Sequence, residues 1–483
     1  MTLRTPSDTP SAKMKVKGGR LEFLVPHILR SQLLRPGFVR LSLRLGVAQQ
    51  MPGWAKLQFT NAGVSREDLD QVLGRITSLG SWVDEWDRLG QSHEAAGRES
   101  LDHHHGREAA QHFLAAAAAY NFAQYVLFLD VNRKHALHQA CVQAYAQATP
   151  LFDPPAVPFE VMFRRRAMRG YLRVPPGRHP APVVVLFNGT NAVKEELHWW
   201  SEALLERGIA TITFDGPGMG ETFHRLSMVA EPRPVGVAIL NQIETRPELD
   251  PRAVAFMGMS LGGYLSIQMA SHDSRIKAVA AISPPYSADI YWNITLAGLR
   301  RELAALYAME EKEMGKAIDK ITLAEVMPRL ECPLMVSGGG HDHITPGSEA
   351  WRIFEDAHCE RELVYYPKGA HDCFNVLADL RPRMVGWLAH QLSKHHVRDG
   401  GVRLVADGTH DGAWRAAEAV DPEFADALLG DQTPRQWNRQ TAAGMPVRWD
   451  WPWNRASAPL IEVVQRRAGN GANAPTQAYT TLA

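Results

Sequence analysis

The sequence predicts an α/β protein: a mostly parallel, doubly wound sheet, with a helical domain before it and an extension after it. Three observations lead there. From about residue 156 to 395, short β-branched runs alternate with helical stretches, the pattern of strands buried on both faces of a parallel sheet. Residues 1–155 instead carry apolar residues at three- and four-residue spacing with few breakers. Beyond about 396 both patterns fade. At 483 residues the chain is too long for one ordinary core, so 1–155, 156–395 and 396–483 are expected to be separate units.

The helical region is carried by "SREDLDQVLGRITSLGSWVDEWDRLGQSHEAAG", "GREAAQHFLAAAAAYNFAQYVLFL" and "HALHQACVQAYAQATPLF". Ser65 is placed to cap a helix, with Asp68 three residues on as the acid of a capping box. "DPPAVP" closes the region, because proline lacks the amide that a continuing helix needs. The stretch up to about Arg44 is basic and poor in acids, and it reads as a basic segment frayed from the body or docked on it, with a transit peptide as the lesser alternative. His103, His104 and His105 precede a helix and read as its solvated start.

In the middle region "PVVVLFNG" leads into "EELHWWSEALLERG", "IATITFDGPG" into "VGVAILNQIETR", and "AVAFMGMS" into "LGGYLSIQMASH". "IKAVAAISPP", "CPLMVSGGG" and "ELVYYPKG" complete the strands. Between the first two of these lies a helical stretch too long for a simple crossover, so residues 286–329 are expected to form a lid above the sheet. "RRR" at 164–166 reads as decoration of an exposed strand or turn. The final region looks loop-like, yet it holds Trp414, Trp437, Trp449, Trp451 and Trp453, out of 13 tryptophans in the chain. Disorder rarely carries so many aromatics, so an arm packed on its own body or on a neighbouring subunit is expected.

Composition narrows the partners. The 52 basic residues balance 52 acidic ones, which argues against nucleic acid or an anionic membrane. Apolar runs such as "VVVLF" at 183–187 are strand-sized and cannot span a bilayer. Cys141, Cys332, Cys359 and Cys373 are scattered without a CxxC pair, as expected of reduced thiols in a cytoplasmic protein, and give no zinc site.

The chemistry gathers at "GMSLGG". Gly258, Ser260 and Gly262 give the G-x-S-x-G spacing, with a strand before and a helix after. That turn holds a serine in a strained conformation, and bulk at either glycine would strike neighbouring backbone. The helix that starts at the serine turns its N-terminal dipole and the Leu261 amide toward any developing negative charge. A serine hydroxyl needs a base, and in this architecture the acid and then the histidine follow it along the chain. Asp342, after "PLMVSGGG", and His371, after "ELVYYPKGA", each fall past a strand end, as the serine does. Ser260 is therefore the expected nucleophile, His371 the base and Asp342 its orienting acid. His341 and His343 flank Asp342 and raise a metal cluster as a rival, but no further ligand stands at metal-like spacing, so no metal is expected. Asp372 is a rival acid, set aside because neighbours on a loop usually point apart. The second oxyanion donor should come from "FNGTNAVKEE", where Gly189 permits a sharp turn and leaves the Thr190 amide first and the Asn191 amide second.

With these residues placed, the chain resembles the α/β-hydrolases. More narrowly it is similar to the group that includes 2,6-dihydroxypseudooxynicotine hydrolase and the fungal polyketide-shortening hydrolases of the yellowish-green pigment type. "NGTNAVKEE", "RGIATITFDGPGMGET", "GMSLGGY", "HDHITP", "GAHDCFN" and "RPRMVGWL" carry the resemblance, with "AAQHFLAAAAAYNFAQYVLF" and "LFDPPAVPFEV" before them. It covers roughly residues 60–395 and does not reach the C-terminal arm. It implies an α/β-hydrolase fold whose N-terminal helices form a cap over the active site, a homodimer, and hydrolysis of a carbon–carbon bond beside a ketone without a cofactor. Trp199, Trp200, Tyr286, Tyr291 and Trp292 lie near the strand ends and the lid. They are expected either to line an apolar pocket for an aromatic or polyketide-like substrate or to be ordinary core. The same three side chains also serve an esterase, thioesterase or lactonase, so the small-molecule substrate is a ketone or an ester. A hydrolase-fold binding protein without catalysis is the reading from a different class.

Overall fold

The computed structural model describes residues 36–127, 130–177, 180–223, 225–289, 292, 297–396, 461–466 and 477–481. The five tryptophans of the C-terminal region, the basic stretch before residue 36 and Tyr291 lie outside these. Six helices come first: α1 (Pro36–Arg44), α2 (Gly53–Thr60), α3 (Arg66–Arg75), α4 (Leu79–Asp102), α5 (Gly106–Gln124) and α6 (Val131–Ala148). Their shared core centres on Phe59, Trp86 and Phe122, with the Phe59 ring stacked on Trp86 at 5.4 Å and tilted against Phe122 at 4.6 Å.

The first helical stretch breaks where the apolar period alone does not show it. α3 ends at Arg75, and Ser78 restarts the chain as the N-cap of α4, in a capping box with Ser81. Ser65 caps α3, accepting from the Asp68 amide at 3.0 Å. The Asp68 carboxylate does not return to the serine amide as a full box would. It accepts from the Ser65 hydroxyl at 2.6 Å and meets His93 at 3.1 Å.

The sheet has the order β1-β2-β4-β3-β5-β6-β7-β8-β9-β10. β1 (Val157–Phe163) and β2 (Arg166–Arg173) form an antiparallel hairpin whose two turn residues, Arg164 and Arg165, both have positive φ, 47° and 62°. The central strands are parallel: β3 (Ala181–Phe187), β4 (Ala210–Phe214), β5 (Leu249–Met259), β6 (Ile276–Ile282), β7 (Leu334–Gly339) and β8 (Arg361–Tyr366). Alternate residues face opposite cores, as a pleated strand requires. Val183, Val185 and Phe187 join the core that also receives α8 (Arg233–Glu244), α9 (Leu261–Ala270) and α12 (Gly347–Asp356). Val184 and Leu186 join the one beneath α7 (His198–Leu205) and α13 (Leu377–Ser393). Helices on both faces make the sheet doubly wound.

The insertion between β6 and β7 contains α10 (Ala297–Leu306) and α11 (Glu311–Ala317), separated by a bend at Ala308, φ 53°. At the far edge β9 (Ile461–Arg466) pairs antiparallel with β8, and β10 (Gln477–Thr481) pairs with β9. Among the described residues no helix is long and apolar enough to cross a membrane. The parallel strands end together at one rim, at Phe187, Met259, Ile282, Gly339 and Tyr366, and the loops there carry the chemistry.

Candidate active site

Ser260 occupies the turn between β5 and α9 with φ 49° and ψ −118°, a backbone conformation that non-glycine residues rarely adopt. Its amide donates to the Ile282 carbonyl at 2.7 Å, tying the turn to the end of β6. The flanking glycines are required by space. A Cβ on Gly258 would lie 2.2 Å from the Gly262 carbonyl carbon, and one on Gly262 would lie 2.5 Å from the Phe187 oxygen. The loop after β3 runs beside the serine, since a Cβ on Gly189 would be 3.4 Å from the Ser260 Cβ. Among the described residues neither the Thr190 nor the Leu261 amide donates a hydrogen bond within the protein. Asn188 shapes this loop: its Oδ1 accepts from the Gly189 amide at 2.8 Å and its Nδ2 donates to the Val193 carbonyl at 3.0 Å.

Asp342 is fully buried after β7, and its Oδ1 accepts from the Ile344 and Thr345 amides at 2.9 and 2.8 Å. His371 Nδ1 lies 2.9 Å from Asp342 Oδ2 and 3.0 Å from Oδ1. The histidine turn is braced by Asn375, which accepts from the Ala370 amide and donates to the Lys368 carbonyl. The N-terminal helices brace it as well: Asn61 donates to the Phe374 carbonyl at 2.7 Å, and Trp54 stacks on the Phe374 ring.

The other ring nitrogen holds a surprise. His371 Nε2 lies 3.6 Å from Asp372 Oδ2, although neighbouring side chains were expected to point apart. The cause is local backbone: Asp372 and Cys373 both have φ 53°, and this left-handed turn folds the Asp372 carboxylate back over the ring. Among the described residues no hydrogen bond joins Nε2 to the Ser260 hydroxyl. Burial pulls the His371 pKa down, but the Asp342 and Asp372 carboxylates outweigh it and hold the imidazole at about 9. Burial pushes Asp372 up to about 6, against the pull of His371.

The aromatic residues divide. Tyr286 does not line a pocket at the rim: it is 2% exposed, its amide donates to Glu349 in the first turn of α12, and its hydroxyl reaches Asp356 at the far end of that helix. The ring thus runs down the helix, away from the strand ends. Trp200 is core, with Arg381 over its ring. Trp199 packs against His198 and beside Gly63, walling a small cavity between the N-terminal helices and α7. Trp292 borders an open groove of about 500 Å³ with Arg300, Glu311, Lys312 and Gly315. Among the described residues no group of His, Cys, Asp and Glu side chains is arranged to hold a metal ion.

Sequence reasoning assigned no role to the charged residues of "KEE" and "FDGPGMGE", and these meet inside the protein. The Lys194 ammonium lies 2.7 Å from Glu195, 3.2 Å from Asp215 and 2.6 Å from Glu221, and it is 1% exposed. The Asp215 carboxylate also accepts from the Lys194 amide at 2.9 Å, which joins the loops after β3 and β4. Burial lowers the lysine pKa, but three carboxylates overrule it and keep the ammonium charged. Burial pushes Glu195 up to about 7 despite the lysine beside it. No spacing in the sequence signals this cluster, because its members come from separate strand ends.

Fold and strand order define the class: the chain is an α/β-hydrolase, an enzyme. Residues 54–297 match the model of the esterase FrsA-like family, and the chain belongs to that family. Residues 236–391 also match the acetyl xylan esterase model. Over 345 residues the chain is 28% identical to the 2,6-dihydropseudooxynicotine hydrolase of Paenarthrobacter nicotinovorans, an alignment covering 70% of this chain and 91% of that one. It is 26% identical over 342 residues to the hydrolyase poxO of Penicillium oxalicum, covering 59% and 80% of the two chains. The crystal structure of the 2,6-dihydroxy-pseudo-oxynicotine hydrolase superposes with a TM-score of 0.65 at 26% identity, over 70% of this chain and 96% of that chain. The resemblance read from the motifs is thereby met.

Proposed function

We propose that the chain is a serine hydrolase that cleaves a carbon–carbon bond beside a ketone in an aromatic or polyketide-like substrate. The observation that carries the serine mechanism is the Asp342–His371 pair at 2.9 Å, set at the same strand-end rim as Ser260 in its strained turn. The bond type rests on the likeness to the 2,6-dihydropseudooxynicotine hydrolase and to poxO. In this reading Ser260 Oγ attacks the ketone carbon and passes its proton to His371 Nε2. The Leu261 and Thr190 amides hold the oxyanion. Collapse breaks the carbon–carbon bond, and the departing carbon takes the proton back from His371. Water, deprotonated by His371, then releases the acid and restores the serine. The sum is ketone plus water giving a carboxylic acid and a C–H product, with no cofactor.

Nε2 has to leave Asp372 for Ser260 when substrate enters, and catalytic hydrogen bonds commonly tighten only in the substrate complex. The N-terminal helices act as the roof of the site and residues 286–329 as its lid. The same reading takes the enzyme to be a cytoplasmic homodimer, checked by sizing the purified chain.

A second reading, ester hydrolysis, is favoured by the esterase descriptions of both family models. Purified enzyme assayed on matched aryl esters and β-diketones separates the two. Esters turned over thousands of times faster than any ketone would remove the carbon–carbon reading. Ser260→Ala should lower kcat by about 10⁴ or more on whichever substrate reacts. A variant with near wild-type rates would remove the serine mechanism altogether.

A further inference from the structure

The residue after Thr190 is gripped by the cap at three points. Asn191 Nδ2 donates to the Tyr125 carbonyl at 3.1 Å, its own carbonyl accepts from Gln124 Nε2 at 2.9 Å, and its Oδ1 accepts from Lys134 Nζ at 2.5 Å. Gln124 and Lys134 stand on α5 and α6. The Lys134 ammonium also lies 2.7 Å from Glu302 Oε1 on α10, the lid helix. Both side chains are deeply buried, 6% and 3% exposed, and Glu302 Oε2 has no hydrogen-bond partner.

A buried ion pair costs several kcal/mol of desolvation per ion, and apolar side chains of like volume often do as well or better for stability. Stability alone therefore gives little reason for this pair. Its location gives a better one. One ammonium touches the cap, the loop beside Ser260 and the lid, which are otherwise separate stretches of chain. We infer that Lys134 is a positioning residue for the oxyanion hole: through Asn191 it fixes the Thr190 amide, and through Glu302 it makes that amide's placement depend on the seating of the lid helix. This rests on the proposed role of Thr190 as oxyanion donor.

The test uses the full chain and two readouts, thermal unfolding and the rate at which a fluorophosphonate probe labels Ser260. That labelling places a phosphonyl oxygen where the oxyanion would sit. The double variant Lys134→Met/Glu302→Met replaces the pair by packing and leaves Asn191 without its cationic donor. It should unfold at or above the wild-type temperature yet label about 10- to 100-fold more slowly, below the full loss of one donor, which is on the order of 10²–10³. Asn191→Ala, which leaves the ion pair in place, should slow labelling to a similar extent. Folded variants that label at the wild-type rate would overturn the inference while leaving the serine mechanism intact. Wild-type protein that fails to label at Ser260 would overturn the parent reading, and this one with it.

Discussion

His371 stands between two carboxylates, with Asp342 2.9 Å from Nδ1 and Asp372 3.6 Å from Nε2. Only the first was expected to touch the ring. The second occupies the side that the proposed mechanism needs for the Ser260 proton, and the two carboxylates together favour the charged imidazole.

That arrangement sets the pH profile. Nε2 acts as a base only without its proton, so kcat/KM should rise with pH along a limb ending near the His371 value of about 9. Asp372→Asn removes one of the two charges favouring the imidazolium, and the limb should move to lower pH. Rates measured from about pH 5 to 10 decide it, since that range brackets ordinary histidine titration with room above. A limb unmoved by the substitution would mean that Asp372 does not face the ring in solution.

Two glycines beside Ser260, one in α9 and one in the loop after β3, differ in how much room surrounds them. Gly262→Ala puts a Cβ 2.5 Å from the Phe187 carbonyl oxygen and 2.6 Å from that of Asn188, both backbone. Stability should fall by about 1–3 kcal/mol, with activity lost as the Thr190 loop is displaced. Gly189→Ala meets nothing closer than the Ser260 Cβ at 3.4 Å. It should fold normally, and paired denaturation curves would show the contrast.

Lys194 touches Glu195, Asp215 and Glu221 together, and among the described residues only Glu221 has a second cation beside it, Arg169 at 3.8 Å. Lys194→Met strands their negative charge in the interior, and breaking a buried pair in this way costs about 3–5 kcal/mol. Urea unfolding at neutral pH measures the loss. A cost below 1 kcal/mol would mean that water reaches the cluster.

Tyr286→Phe removes only the hydroxyl that donates to Asp356. The expected cost is about 1 kcal/mol of stability with KM unchanged. A KM raised severalfold would return the residue to the substrate pocket.

The sequence made the site's main chain of logic legible because strands, turns and glycines leave local marks. "AVAFMGMS" before "LGGY" fixed Ser260 at a strand-to-helix turn, and the turns after "PLMVSGGG" and "ELVYYPKG" put Asp342 and His371 on the same rim. What stayed hidden depends on backbone dihedrals or on distant partners. Nothing in "GAHDCF" announces two successive left-handed residues, so the Asp372 contact could not be read. Asn188, Asn375 and Lys134 look like ordinary polar residues until the loops they brace are in place. The strands at 461–466 and 477–481 are short and set among loop-like sequence, and the pairing of the first with β8 and of the second with the first is decided by the edge each one meets.

That last pairing bears on how the protein keeps in solution. Without β9, β8 would show water a bare row of amides and carbonyls, the template along which foreign strands add to form aggregates. The β9–β10 pair covers that border and moves the open edge out to β10, a strand of five residues. Proteolytic trimming ahead of residue 461 would leave Ser260, Asp342 and His371 in place and still yield a stickier molecule, seen as light scattering that grows on storage.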